Sequence, residues 1–322
     1  QKPFKFPPPD GFQPLNAANT RPVNVISRPD QYVGIVTYSG AGGTQSVTGY
    51  NFNAKPDFVW IKNRSDSGGV SHILFDTVRG AGKSLNSNET SVERTNHNYG
   101  YLTSFDFNGY TVTGGSSGDG ETNDASNTYV AWAWKAGGSK NTFNVDDVGY
   151  ASFADSGITA GTITPTGISV GTKQGFSIIR YDGAGTSTSA TPSTIPHGLS
   201  QAPSFFMVKA ISGDNAADDW QCYHQSLGAS KRIRLNLNNA ADAQSNLWGN
   251  ETAPTSSVIS INKGWYSANY TGHTHILYAW HDVPGLQKFG TYEANGSTDG
   301  PYVELGFKPA IIMLKSFADT EH

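Results

Sequence analysis

Pro203 to Ala210 reads PSFFMVKA, and the same pattern occurs twice more: PDFVWIKN from Pro56 and PAIIMLKS from Pro309, each with an apolar run between a proline and a lysine six residues on. A tyrosine followed by a small, Gly-rich loop precedes each copy: YSGAGGTQS from Tyr38, YDGAGTSTS from Tyr181 and YEANGSTDG from Tyr292. The tyrosine-to-proline gaps are 18, 22 and 17 residues. Self-similarity at this spacing makes the chain a tandem array, and it has to be recognised before any element is assigned.

Working outward, the last strands also match: TYVAWAW from Thr128 and THILYAW from Thr274, with GAGK from Gly80 answered by GASK from Gly228. A first module therefore runs over 30–138 and a second over 174–285, joined by an ordered connector, 139–173, with short β-like pieces near 142–145 and 161–170. A third copy starts at 286 and stops about a third of the way through by His322. A third of a sandwich buries no core, so its remaining strands are expected beyond His322 or from a neighbouring chain. Residues 1–29, rich in Pro and Phe with Pro7 to Pro9 in a row, read as a linker or the trailing end of a preceding domain. The chain opens without a Met or a leader pattern and reads as a piece of something longer.

Composition sets the class. With 322 residues, 37 Gly, 12% aromatic and only 15% charged residues, the chain suits several all-β domains: aromatic and β-branched residues fit pleated, half-buried surfaces, and Gly and Asn fit turns. The expected fold is all-β, tandem β-sandwich modules of jelly-roll or concanavalin A-like type, two complete and one truncated. Asn108-Gly109, flanked by Phe105, Phe107 and Tyr110, predicts a hairpin. A net charge of −4 gives no basic stripe for nucleic acid, and no apolar run approaches the roughly 18–20 residues of a membrane span. Cys222, the one cysteine, excludes an internal disulfide and reads as a small buried hydrophobe.

The N-terminal KPFKFPPPDGFQPLNAANTRP resembles the closing segment of the SPRY, concanavalin A-like domains of marine bacteriophage virion proteins. In those, a (Gln/Arg)-(Lys/Arg)-Pro-Phe strand leads into a proline-rich exit and Gly-Phe-x-x-Leu-Asn. TIPHGLSQAPSFFMVK and WQCYHQSLGASK are similar to the repeated β-modules of uncertain function that follow such domains. The resemblance implies a structural, adhesive part of a tail fibre, spike or similar appendage on the virion surface. Its partners would be other virion proteins, further copies of itself, with a trimer favoured, and a host surface glycan; no cofactor, nucleic acid or membrane insertion is implied. Two other classes stay open: a lectin-like module of a larger glycan-targeting protein, and a capsid decoration or cellular surface filament protein.

Chemistry is sparse. TVRGAGKS from Thr77 lacks the first glycine of a phosphate loop, and the second module has GASKR there instead, which points to a shared turn. No Gly-x-Ser-x-Gly elbow appears, and none of Asp57, Asp76, Asp106, Asp182, Asp218, Asp219, Asp282 or Glu304 recurs in both modules as an acid, so enzymatic activity is not expected. Asp119, Glu121 and Asp124 in GDGETND give an oxygen-rich loop of the kind that holds calcium, with the wrong spacing for an EF-hand and a solvated loop as the plainer reading. His273 and His275 share a strand face, as a metal pair would, but the first module has Asn127 and Tyr129 there, and a pair of edge or surface histidines is the plainer reading. For sugar binding, aromatics beside amides are the signal: Trp248 and Asn250 in NLWGN, Trp265 and Tyr270 in KGWYSANY, Tyr99 and Tyr101 in NHNYGY. Trp60, Trp132, Trp134 and Trp280, carried on strands, are assigned to the core.

Overall fold

The computed structural model describes residues 25–66, 68–117, 120–186 and 191–318. The N-terminal segment that carries the SPRY resemblance, and Asp119, lie outside the described residues. Among them the regular structure is twenty strands and two three-residue 3-10 turns, with no α-helix.

In the first module, strands β1 (Val33–Ser39), β3 (Phe58–Asn63), β4 (Ile73–Asp76), β5 (Lys83–Asn86), β6 (Arg94–Thr95) and β9 (Thr128–Trp134) form a large sheet in the order β1-β9-β3-β4-β5-β6. Opposite it lies a small sheet, β2-β8-β7, made of β2 (Thr44–Thr48), β7 (Tyr101–Asp106) and β8 (Gly109–Thr113). The predicted hairpin joins β7 to β8: Asn108 takes φ 54°, and Gly109 lies so close to β2 that a Cβ would stand 2.2 Å from the Val47 carbonyl oxygen.

The second module repeats this plan. β13 (Phe176–Asp182), β15 (Phe205–Ser212), β16 (Gln221–His224), β17 (Lys231–Arg234), β18 (Asp242–Ala243) and β20 (Thr274–Trp280) lie in the order β13-β20-β15-β16-β17-β18, with the small sheet reduced to β14 (Ser193–Pro196) and β19 (Val258–Ile261). Register repeats as well: Phe58 faces Trp134 as Phe205 faces Trp280. The connector belongs to this sheet. Its strands β10 (Phe143–Val145), β11 (Val148–Tyr150) and β12 (Gly167–Gly171) extend it beyond β13.

The marker strands are apolar up to their lysine because both of their faces are buried. In β3, Val59 and Ile61 point into the first sandwich, with Phe75, Tyr110 and Val112, while Phe58 and Trp60 point the other way. In β15, Phe206 and Val208 point into the second sandwich and Met207 points out. The outward sets meet. Phe58, Trp60, Leu74 and Leu85 of the first module form one buried cluster with Phe176, Ile178, Met207, Tyr278 and Trp280 of the second. The modules are thus joined by a third core between their large sheets.

Polar contacts fix that junction. Trp220 Nε1 donates to the Asn86 carbonyl (2.9 Å), Tyr278 Oη to Asp76 (2.6 Å) and Glu93 N to the Ile211 carbonyl (3.1 Å). Lys209, the repeat lysine, is fully buried and donates to the carbonyls of Thr90 (2.8 Å) and Ala216 (3.3 Å). All three marker lysines serve carbonyls in this way, Lys62 that of Val70 and Lys315 that of Leu237.

The third copy contains no strand among its described residues. β3 and β15 each lie between two partner strands, and PAIIMLKS has neither. It is nonetheless placed on the second module as that module is placed on the first. Ala241 N donates to the Phe317 carbonyl (3.0 Å), as Glu93 N does to that of Ile211. Lys315 reaches the Leu237 carbonyl as Lys209 reaches that of Thr90. Phe289 stacks at 5.8 Å from Phe205, where Phe176 stands 6.0 Å from Phe58.

A candidate surface for ligand contact

The loops that carry most of the predicted sugar-binding residues lie between β18 and β20. Trp248, a candidate for stacking on a sugar, is 1% exposed. Its ring stands edge-on to Phe206 at 4.8 Å, and its Nε1 donates to the Lys231 carbonyl at 2.9 Å. It is a core residue: the ring is buried against Phe206 and Tyr223 in the second module's core, which leaves no ring face for a sugar.

Its neighbour Asn250 is exposed, at φ 56°, and with Ser245, Asn246 and Glu251 lines a polar depression of about 300 Å³. Asn250 Oδ1 accepts from Asn262 Nδ2 (2.6 Å), while the Oδ1 of the buried Asn262 has no partner among the described residues. Trp265 is half-buried beside the same depression. Its Nε1 holds the Asn246 carbonyl at 3.0 Å, and the Arg232 guanidinium lies 5.5 Å from the ring centroid, an attraction between cation and ring face. Tyr270 stacks on Tyr266 at 4.2 Å, and Tyr266 is 39% exposed. Tyr266 is the residue the sequence reading passed over. It was visible only as part of KGWYSANY, with nothing to separate an outward tyrosine from an inward one.

Tyr99 and Tyr101 belong to the first module, away from this group. Tyr101 is half-buried against that module's core, and Tyr99 packs edge-on against His97 at 4.7 Å. The structure therefore brings Trp265 to the Asn250 depression through Asn246, pairs Tyr270 with Tyr266, and leaves Trp248, Tyr99 and Tyr101 out.

His273 and His275, expected at an edge or surface, are both buried, His275 on the central strand β20 and His273 just before its start. The reason is the repeat. Tyr129 stacks on Tyr38 at 5.0 Å, and His275 takes that place on Tyr181 at 5.2 Å. Tyr129 Oη donates to the Gly120 carbonyl; His273 Nδ1 and His275 Nε2 both point at the Tyr266 carbonyl, each at 3.1 Å. Two ring N–H groups sharing one carbonyl are occupied as donors and hold a loop, which is a different task from binding a metal. Burial pushes the His275 imidazole down to about 3.

The acidic loop is committed to contacts of its own. Glu121 is buried and forms a bidentate pair with Arg94 (2.9 and 3.0 Å), with His97 at 3.5 Å. Asp124 Oδ1 accepts from Ser126 N in a local turn. Among the described residues no group of three or more His, Cys, Asp or Glu side chains stands close enough to hold a metal ion.

The buried acids act as clamps. Asp57 Oδ2 accepts from Ala136 N (2.7 Å) and Gly138 N (3.1 Å), tying the start of β3 to the end of β9, while burial pushes its carboxyl up. Asp76 caps the β4–β5 turn by accepting from Val78 N and Arg79 N, and pairs with the buried Arg79 side chain. The TVRGAGKS stretch is this turn, followed by strand β5, with no helix for a phosphate to sit on.

A family model described as a domain of unknown function, DUF7483, matches residues 28–322. No curated protein and no solved structure matches.

Proposed function

The chain belongs to the DUF7483 family, described as a domain of unknown function, and we propose from its construction that it is a non-enzymatic, structural and adhesive component of a phage virion appendage. The observation that carries this reading is the junction. The two modules are joined by an apolar core and by Tyr278–Asp76, Trp220–Asn86 and Lys209–Thr90, which suits a rigid spacer better than a pair of jointed domains. The conspicuous buried polar side chains serve that construction: Asp57, Asp76, Arg79 and Lys209 all bind backbone or one another. In the fibre reading, copies assemble as a trimer and loops face the host surface. Immunogold labelling of particles whose genomes encode the chain tests this, with label on tail or fibre expected; label confined to the envelope of uninfected cells overturns it.

A second reading, a lectin-like contact, is favoured by one feature: a polar depression lined by Asn246, Asn250 and Glu251, with the Trp265 indole bonded to the Asn246 carbonyl at its side. Aromatic faces beside amide groups suit the apolar and hydroxyl sides of a pyranose. A glycan array probed with wild type and Trp265→Ala separates the readings. Binding lost in the variant supports the lectin, and equal inertness of both removes it.

A further inference from the structure

Each module carries two halves of one interface. In the second module, Ile178, Ile276, Tyr278 and Trp280 are covered by the first module, and Ile178 and Tyr278 are 0% exposed. Register identifies their counterparts: Ile35 faces Trp132 across β1 and β9 as Ile178 faces Tyr278 across β13 and β20, and Val130 and Trp134 stand where Ile276 and Trp280 do. Among the described residues no module covers Ile35 and Val130, while Trp132 and Trp134 reach only the edge of the junction core, against Trp60 and Phe58. Ile35 is 40% exposed, and Val130, Trp132 and Trp134 are only half-buried. Lys62 occupies the position of Lys209 and is spent on a local carbonyl.

The covering half also occurs twice. On the first module it is Phe58, Leu74 and Leu85; on the second, the matching positions are Phe205, Cys222 and Ile233. That second copy is occupied by residues 289–317 of the same chain, through contacts equivalent to those the second module makes on the first. The chain therefore holds one exposed receiving face and one covering face under a segment lacking strands.

We propose that the face formed by Ile35, Lys62, Val130 and Trp132 binds the β15–β16–β17 face of a second copy of this chain, which displaces that copy's residues 289–317. The argument is continuity with the interface already built inside the chain, repeated between copies. Lys62 then serves the partner copy's carbonyl near 237–238, as Lys209 serves that of Thr90. Such a contact is heterologous: each copy presents a different patch, so copies add head to tail and the assembly does not close unless its rotation happens to return on itself. The inference rests on the repeat and not on the virion reading.

Light scattering on the full chain across a concentration series tests it, comparing wild type, Lys315→Glu, which loosens the segment, and Lys315→Glu with Ile35→Asp. The mass of Lys315→Glu is expected to rise through dimers and higher species at concentrations at least tenfold below those wild type needs, and the double variant to stay monomeric. Ile35 is exposed, so its substitution leaves the fold standing. Mixing Arg64→Cys with Ala241→Cys under oxidation gives a second readout, since each follows the contact made by Ile211 and Glu93. A disulfide-linked heterodimer from the mixture, absent from either variant alone, is expected; in the wild-type background this readout serves even if Lys315→Glu unfolds. Monomers throughout with no heterodimer overturn the proposal. A fixed threefold mass indifferent to Ile35→Asp also overturns it while favouring the trimeric fibre.

Discussion

The phenol of Tyr278 donates a 2.6 Å hydrogen bond to Asp76 Oδ2, joining the last strand of one sandwich to the fourth strand of the other. The same carboxylate pairs with Arg79 and caps the turn after β4, so one buried acid holds a local turn and the module junction together.

Removing each partner separates these tasks. Tyr278→Phe deletes only the bond across the junction, and the loss expected for a buried bond to a charged acceptor is about 1.5–3 kcal/mol. Asp76→Ala leaves Arg79 buried without its partner, and about 3–5 kcal/mol is expected. Urea unfolding followed by tryptophan fluorescence measures both. Equal losses would mean that Arg79 finds another partner, with Glu93 the nearest acid at 3.6 Å.

Lys209 predicts an alkaline effect. Burial pushes its ammonium down to about 8, against about 10.4 for an exposed lysine. Between those values the unfolded chain binds more protons than the folded one, so the contribution of Lys209 to stability rises with pH through that window and is flat above it. The difference in unfolding free energy between wild type and Lys209→Met, measured from pH 7.5 to 10.5, is expected to move in favour of wild type as pH rises. A flat difference curve would show that the two carbonyls hold Lys209 charged.

Two tryptophans that look alike in sequence are expected to behave oppositely. Trp248→Ala opens a cavity beside Phe206 and costs about 3–5 kcal/mol. Trp265→Ala removes a half-buried ring that holds the Asn246 carbonyl and shields Arg232, so a smaller loss is expected, with any glycan binding falling away. Thermal melts beside the glycan array make the comparison.

What the sequence made legible was whatever the repeat or local chemistry dictates. PDFVWIKN and PSFFMVKA announce strands buried on both faces, because no polar residue interrupts them before the lysine, and Asn108-Gly109 announces its hairpin. The face-to-face docking of the modules was not legible. Trp60 and Trp280, assigned to the core, point out of their own sandwiches into a core shared between the modules, and alternation shows which residues share a face without showing what covers it. Trp132 and Trp134, assigned to the core, are half-buried because they stand at the edge of that shared core, against Trp60 and Phe58. Trp248 sits in an Asn- and Gly-rich loop that looks exposed, while its indole reaches inward to the Lys231 carbonyl and the Phe206 ring.

His275 permits a test of the repeat itself. Its imidazole is held at about 3 by burial, while an unfolded histidine titrates near 6.5. Below 6.5 the unfolded chain takes up a proton that the folded chain refuses, so the stability this residue supports is intact above pH 6.5 and is lost as pH falls toward 3. The first module solves the same position with Tyr129, which does not titrate there and is stacked in the same way on its tyrosine partner. His275→Tyr is therefore expected to fold and to be less sensitive to acid, with unfolding free energies that converge on wild type at pH 7 and exceed it by pH 5. The larger ring has to fit beside His273 and the Tyr266 carbonyl, so His275→Gln, which keeps a donor without a titrating group, serves as the second variant. Acid curves that run parallel to wild type in both variants would show that other groups set the acid limit of the second module.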